Sequence, residues 1–395
     1  LKRYWQKGIN KMANEFKENL KNAVKLQRRP MNEGNRKRSR KAKSKTWLYP
    51  HAIERKYWKG IVSDIVNPLR KIAEPALRLN LPRWLEEAGR FDSSGMDDFI
   101  NSLQIEMNRD FMTERIRQIK LDEYRTDEYR VDTWVEEFQI LIQRLIDEQE
   151  SIFAGPGGAA AGSTAAELIS EIADGVFLFN RRQWAKTTTA TAGFEFRTPE
   201  VWYDAVKEAW GSENYRLLKN LDDDYINRIN EAVMRGVRDQ SSTAEIMRDV
   251  RKIGKNISTA RAKLIAEDQV GKLNGVLTKR RQLEAGIPIY IWSTAKDERV
   301  RGKPGGKYPR AVPSHWDMEG KLCRWDDNTV FADPAVAVER DEKGNIVNIN
   351  WRSRTGRMPF AIPGQEIRCR CTANAYWESF LQEVDVELST ENQIV

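Results

Sequence analysis

At 395 residues, 40% hydrophobic and with 13 tryptophans, the chain can bury a sizeable core and has room for two or three domains. No apolar run approaches the roughly 20 residues that span a bilayer, and three cysteines, all between Cys323 and Cys371, exclude a secreted disulfide framework and point to a reducing interior. The net charge of +8 resides in residues 28–45, and the remainder of the chain is balanced, so the excess positive charge belongs to one short tract and not to a basic domain.

The N-terminal segment is polar and Lys-rich, so a signal peptide is not expected, and an opening Leu in place of Met points to processing or a shifted start, with Met12 one candidate. Over residues 1–27 the apolar residues Ile9, Met12, Phe16, Leu20 and Val24 recur at three and four, which predicts a helix docked on a neighbour. The tract that follows carries Arg28, Arg29, Arg36, Lys37, Arg38, Arg40, Lys41, Lys43 and Lys45 against Glu33 and has no apolar period. It suits a polyanion held through phosphate neutralisation, without base reading. A solvated linker, or a tail that pairs with acidic protein, is the plainer reading. Trp47, Tyr49, Tyr57 and Trp58 come next; they offer stacking surfaces for bases, and anchoring to a core is the reading favoured.

Residues 52–88 read as helices broken at Pro68, Pro75 and Pro82, and Asp97 to about Phe153 as a long amphipathic bundle member. Residues 154–163, rich in Gly and Ala, lack the Gly-Lys-Ser/Thr ending of a phosphate loop and read as a hinge or boundary. Further helices are predicted after it. One is capped by Thr198-Pro199 and runs to Trp210, one covers Asp222 to Arg238, one starts at Ser242-Thr243-Ala244-Glu245, and the longest runs from Ser258 to the Gly286 stop. At Ile289 the period changes: Ile289-Tyr290-Ile291-Trp292 is strand-like, and Asp341 to Asn345 is a hairpin turn between Val336–Val338 and Ile346–Ile349. The expected architecture is a mostly α N-terminal two-thirds, an extended helical bundle, followed by a small α+β, loop-rich C-terminal domain. The divisions are a basic arm with a helix (1–50), a helical region (51–153), the hinge (154–163), a helical domain (164–286), the α+β module (287–380) and an acidic tail (381–395).

The chemistry concentrates in residues 287–371. His315, Cys323, Cys369 and Cys371 supply an imidazole and three thiols, a set that zinc accepts tetrahedrally and that would staple a small core. The competing reading is a packed core in which His315 hydrogen-bonds a carboxylate such as Asp297 or Asp317. Catalysis would draw on His315, Arg299, Arg301 and Asp297, but His51 is the only other histidine, which leaves a two-histidine mechanism dependent on distant segments. Arg299, Arg301, Arg368 and Arg370 would share a face if extended, as an internal ion-pair framework or as a patch facing DNA or a partner.

The order of elements resembles a known family. Arg261-Ala262 and Ile265-Ala266-Glu267 on a helix are followed by Trp292-Ser293-Thr294, Asp297, Arg299, Arg301, His315, Gly320, Pro363-Gly364 and Cys369-Arg370-Cys371. In these residues, over about 220–375, the chain resembles the phage head morphogenesis domain of minor head proteins, the phage Mu F-like family. It departs in an insertion, Gly302 to Val312, and residues 1–160 match nothing in the family pattern. The resemblance implies a virion component at the portal vertex, in the capsid interior, made in the host cytoplasm. Its expected partners are the portal protein, the major capsid or scaffolding protein and double-stranded DNA, with no membrane, and it can be ejected with the genome. It implies no enzymatic activity and no certain cofactor, a structural zinc apart. A toxin-like or nucleic-acid-acting enzyme and a non-viral DNA-binding scaffold are the alternatives.

Overall fold

Helix formation in the first two-thirds follows the spacing of apolar residues at three and four. The computed structural model describes residues 47–88, 134–155, 158–192 and 200–379. The basic tract with its nine cations, the helix expected before it, residues 97–133, Thr198-Pro199 and the acidic tail lie outside the described residues. The described helices are α1 (His51–Gly60), α2 (Asn67–Ala88), α3 (Trp134–Phe153), α4 (Thr164–Ala192), α5 (Tyr203–Arg238), α6 (Thr243–Asn256) and α7 (Ala262–Glu284), and short antiparallel strands follow. None of these helices is long and apolar enough to cross a membrane. The mostly helical region followed by a small stranded one agrees with the fold class expected.

Several helix boundaries differ from expectation. Pro75 and Pro82 do not break α2, because both are exposed while Leu69, Ala73, Leu77, Leu81, Trp84 and Ala88 are buried. The missing amide bonds therefore fall where water solvates the freed carbonyls. Before Pro68 the chain adopts a π-helical turn, Ile61–Val66, in which the Asn67 N–H donates to the Val62 carbonyl. The wider turn absorbs the register change in front of the proline. The segments expected as separate helices ending at Trp210 and beginning at Asp222 are one helix, α5, of 36 residues. Ser258 starts no helix: its hydroxyl donates to the Gly254 carbonyl at 2.9 Å inside a second π-helical turn, Ile257–Arg261. The start of α6 is as expected, with Ser242 and Glu245 forming a capping box.

The chain divides into two interleaved units. One draws on Leu1–Lys56, Ser170–Trp210 and Ala266–Val395, the other on Tyr57–Ile169 and Gly211–Ile265. The boundaries fall inside helices, and the Gly/Ala-rich segment expected as a hinge lies within the second unit. That second unit is helical. α2 packs on α3 and α6, and the two π-helical turns pack on each other. Tyr57 is anchored there through its hydroxyl, 2.8 Å from Asn214 Oδ1, and Trp58 donates its indole N–H to the Ser258 carbonyl.

The first unit holds the strands. β1 (Ile289–Ser293) is the centre of an antiparallel sheet in the order β2-β1-β7, with β2 at Leu322–Arg324 and β7 at Thr372–Ala375. Tyr290 faces Cys323 on one side and Ala375 on the other. Two ribbons complete it: β3 (Val330–Phe331) with β6 (Arg352–Ser353), and β4 (Val338–Arg340) with β5 (Ile346–Ile349), which flank the hairpin turn at 341–345. α7 ends as expected at Gly286, where a positive φ of 75° and the bonds Gly286 N–H to Leu283 and Ile287 N–H to Gln282 close the helix and turn the chain into β1. Gln282 then ties helix to sheet, donating to the Ala373 carbonyl and accepting from the Trp325 indole, both at 2.9 Å. Trp47 runs beside β7: its N–H donates to Asn374 Oδ1, and its ring lies 6.3 Å from Trp184, which stacks on Trp377.

Candidate metal centre

β1 carries Trp292 into the core and releases the chain into the turn that holds Asp297, Arg299 and Arg301. The insertion after Arg301 does not separate the motif. Gly302 N–H donates to Tyr308 O, Lys307 N–H donates to Glu298 O, and the Trp316 N–H returns to Arg301 O, so His315 is set down next to Arg301. The closing segment arrives from the other side. Gly364, at φ +87°, lies against α7, where a Cβ on Gly275 would be 2.5 Å from the Pro363 carbonyl oxygen and one on Gly271 2.9 Å from that of Cys369. Only glycine on the helix allows this approach.

The result is a tight group. His315, Cys369 and Cys371 are buried, and their donor atoms lie within 4.8 Å of one another. His315 Nδ1 is 3.4 Å from Cys369 Sγ and 3.4 Å from Cys371 Sγ, and the Gly364 N–H donates to Cys369 Sγ at 3.3 Å. On the other ring nitrogen, Nε2 donates to Glu366 Oε2 at 2.8 Å, and Arg301 Nη1 meets the same oxygen at 2.8 Å. Trp292 closes the imidazole side, with ring centroids 5.9 Å apart and planes at 89°.

The electrostatics follow from these contacts. The hydrogen bond with Cys371, aided by His315, holds the Cys369 thiol well below its ordinary value, whereas the bond to Cys369 and burial push Cys371 well above. Burial works against protonation of His315, but Cys369 and Glu366 outweigh it and raise its pKa to about 9. Burial would likewise raise Glu366, and the His315 and Arg301 partners hold it below its usual range. The group can act as a soft donor set of one imidazole and two thiolates, or as a buried thiolate–imidazolium pair.

Cys323 stands outside this group. It is buried against Tyr290 and Trp325 in the core, and burial pushes its thiol up to about 11. Nor does His315 pair with Asp297 or Asp317. Asp297 is occupied by Arg370, at 2.9 and 2.6 Å, and Asp317 faces Arg357, so Glu366 is the carboxylate within reach. The arginines do not share an extended face, because 297–301 is a turn and Arg368 has φ +58°. They form an ion-pair framework instead: Arg299 and Arg368 both reach Glu267, at 3.8 and 3.0 Å, while Arg301 holds Glu366 and Arg370 holds Asp297. Gly320, at φ +73°, donates its N–H to the Trp292 carbonyl and joins the motif to β1.

Glu366, Gly271 and Gly275 were not singled out from sequence. The Gly-x3-Gly spacing on a helix was a readable sign of close backbone approach, whereas nothing around Glu366 marks it. Arg354 is a further buried residue without a local signature; it donates to the Val330, Pro359 and Ala361 carbonyls.

Comparison with known proteins finds a similarity over this group. Residues 227–374 match the family described as Phage Mu protein F like protein. These residues are similar to a Phage Mu F-like domain. Its span takes in every motif residue from Asp297 to Cys371, and the family is one of phage head morphogenesis. A relative described as an uncharacterized protein of Haemophilus influenzae (strain Rd) is 38% identical over 158 residues, which is 40% of this chain and 26% of the relative. The chain therefore spans about a quarter of that relative's length. No solved structure matches.

Proposed function

We propose that this protein is a structural minor head protein of a tailed phage, bound at the portal vertex inside the capsid, where it supports head assembly and contacts packaged DNA. The observation that carries the reading is the coincidence of the Phage Mu F-like match at 227–374 with one buried, ion-paired group built from the family's own motif residues. Its partners would be the portal protein and the major capsid or scaffolding protein. The cations of 28–45 supply a sequence-independent hold on double-stranded DNA, and a protein so placed can leave with the genome. A role without catalysis fits the burial of His315, Cys369 and Cys371, since a nucleophile has to meet its substrate.

Co-expression with a ring-forming portal protein tests the assembly role: co-purification as one particle is expected, and a chain that elutes alone and is missing from purified heads overturns it. Replacing the nine basic residues of 28–45 by Gln tests the DNA contact. Affinity should fall and its dependence on salt should flatten. An unchanged affinity and salt slope would remove the DNA contact from the reading.

A further inference from the structure

The geometry around His315 points to a metal: we propose that His315 Nδ1, Cys369 Sγ and Cys371 Sγ bind a structural zinc ion that fastens the closing Cys-x-Cys segment to the core of the domain. The distances fit the ion. With Zn–N of about 2.0–2.1 Å and Zn–S of about 2.3 Å, tetrahedral angles place N and S about 3.6 Å apart. Both observed N···S separations are 3.4 Å, so the ion fits between the three donors with little side-chain movement. The donors also have the softness zinc and thiolate sites share.

The surroundings are those of a metal ligand set. Glu366 accepts from His315 Nε2, which fixes the tautomer that leaves Nδ1 free to ligate, and Arg301 in turn holds Glu366. The Gly364 N–H on Cys369 Sγ stabilises a thiolate, and this bond exists because Gly364 can adopt φ +87° against α7. Among the described residues no fourth His, Cys, Asp or Glu joins the group, and Cys323 is excluded from it. These three residues leave one position of the tetrahedron to another ligand, such as a water. The small sheet and two ribbons give the domain little regular structure, and a metal closing residues 315 and 369–371 adds a cross-link between segments distant in sequence. The inference is independent of the head-protein reading, because it rests on the donor atoms alone.

The test is metal analysis of the full chain, purified without chelator. Stoichiometric zinc is expected, and cobalt(II) exchanged into the protein should give the thiolate-to-cobalt charge-transfer band and intense ligand-field bands of a tetrahedral site. Cys369→Ser, Cys371→Ser and His315→Gln should lose the metal, Cys323→Ala should keep it, and Glu366→Gln should bind zinc about 10–100-fold more weakly in chelator competition. A wild-type chain that holds no zinc and gives no thiolate–cobalt band overturns the proposal. So does loss of zinc from Cys323→Ala as complete as from Cys369→Ser. Should the ligand variants fail to fold, the cobalt spectrum of the wild-type chain still decides.

Discussion

The two units bury different kinds of residue. In the helical unit most of the interior is a repeated apolar stripe, with Gln149, Asn214 and Asp222 as buried exceptions: Ile61, Ile65, Leu69, Leu77 and Leu81 are fully buried, facing helices that offer Phe138, Leu145 and Val250. In the unit that holds the strands, Trp292 and Tyr290 share the interior with Arg281, Gln282, His315 and Arg354. The first kind of core tolerates any apolar residue of similar volume. The second is specified by partners, since each buried polar group loses stability if its partner leaves. That difference matches the sequences: helices with simple periodicity on one side, and on the other a motif of Asp, Arg, His, Gly and Cys in which each residue has an assigned contact.

Core truncation should break the contrast most strongly. Leu77→Ala is expected to cost about 2–5 kcal/mol and Trp292→Ala about 3–5 kcal/mol, measured by denaturant unfolding. The two should differ in kind. Leu77→Ala removes apolar contacts, so hydrogen exchange should accelerate around α2 and its neighbours while the thiols stay protected. Trp292→Ala also uncovers the imidazole it packs against, and Cys369 and Cys371 should then react with thiol reagents. Equal thiol protection in both variants would show that Trp292 is ordinary core.

Two carboxyls, one in each unit, should contribute to the pH dependence of stability with opposite sign. In the helical unit Asp222 is fully buried and neither carboxylate oxygen has a hydrogen-bond partner, so burial, with Asp223 beside it, holds its pKa well above the ordinary 3.8. Its folded form binds the proton more tightly than the unfolded chain. That stability is therefore complete below pH 3.8 and is lost as pH rises through the folded value. Asp297 behaves in the reverse way. Burial would raise it, but the Arg370 and Arg299 contacts hold it below 3.8, so its stability is present above that value and is lost as pH falls through the folded one. In unfolding curves taken across the acid range, Asp222→Asn should remove a decline on the rising side and Asp297→Asn one on the falling side. Identical profiles for the two variants would mean that neither carboxyl is set by its surroundings as drawn.

Much of this was readable in the sequence, and the failures have a common cause. The helix start at Ser242, the Gly286 stop, β1 and the hairpin at 341–345 are encoded within a few residues, and all appear. Pro75 and Pro82 misled because their effect depends on whether they face water, which is set by packing and not by neighbours in sequence. His315, Cys369 and Cys371 came together as their residue types suggested, although their spacing is not that of a common zinc motif. Cys323 did not join them, because β2 turns it into the core beside Tyr290. Glu366 was invisible: a lone carboxylate in a loop acquires meaning only when His315 and Arg301 are placed against it from 51 and 65 residues away.

The smallest predicted effect is the most discriminating, because it reverses sign between the units. Replacing a helical glycine by alanine ordinarily stabilises a protein by about 0.4–1 kcal/mol, through the entropy of the unfolded chain. Gly211→Ala in α5 should follow this rule, since the added Cβ would sit 3.7 Å from Ile169 Cγ2, an ordinary contact. Gly275→Ala in α7 should violate it. There the Cβ would stand 2.5 Å from the Pro363 carbonyl oxygen, a backbone atom in a loop that Gly364 holds against the helix. Overpacking of this kind costs about 1–3 kcal/mol, more than the entropic gain returns. Thermal unfolding of the two variants should therefore move in opposite directions. The loss in Gly275→Ala should be accompanied by faster exchange of the Gly364 and Cys369 amides, because the carbonyl that must retreat belongs to the same segment that carries the thiols. A stabilised Gly275→Ala would mean that the Pro363–Cys371 segment yields freely, and the close seat of that segment on α7 would then not be what positions Cys369 and Cys371 beside His315.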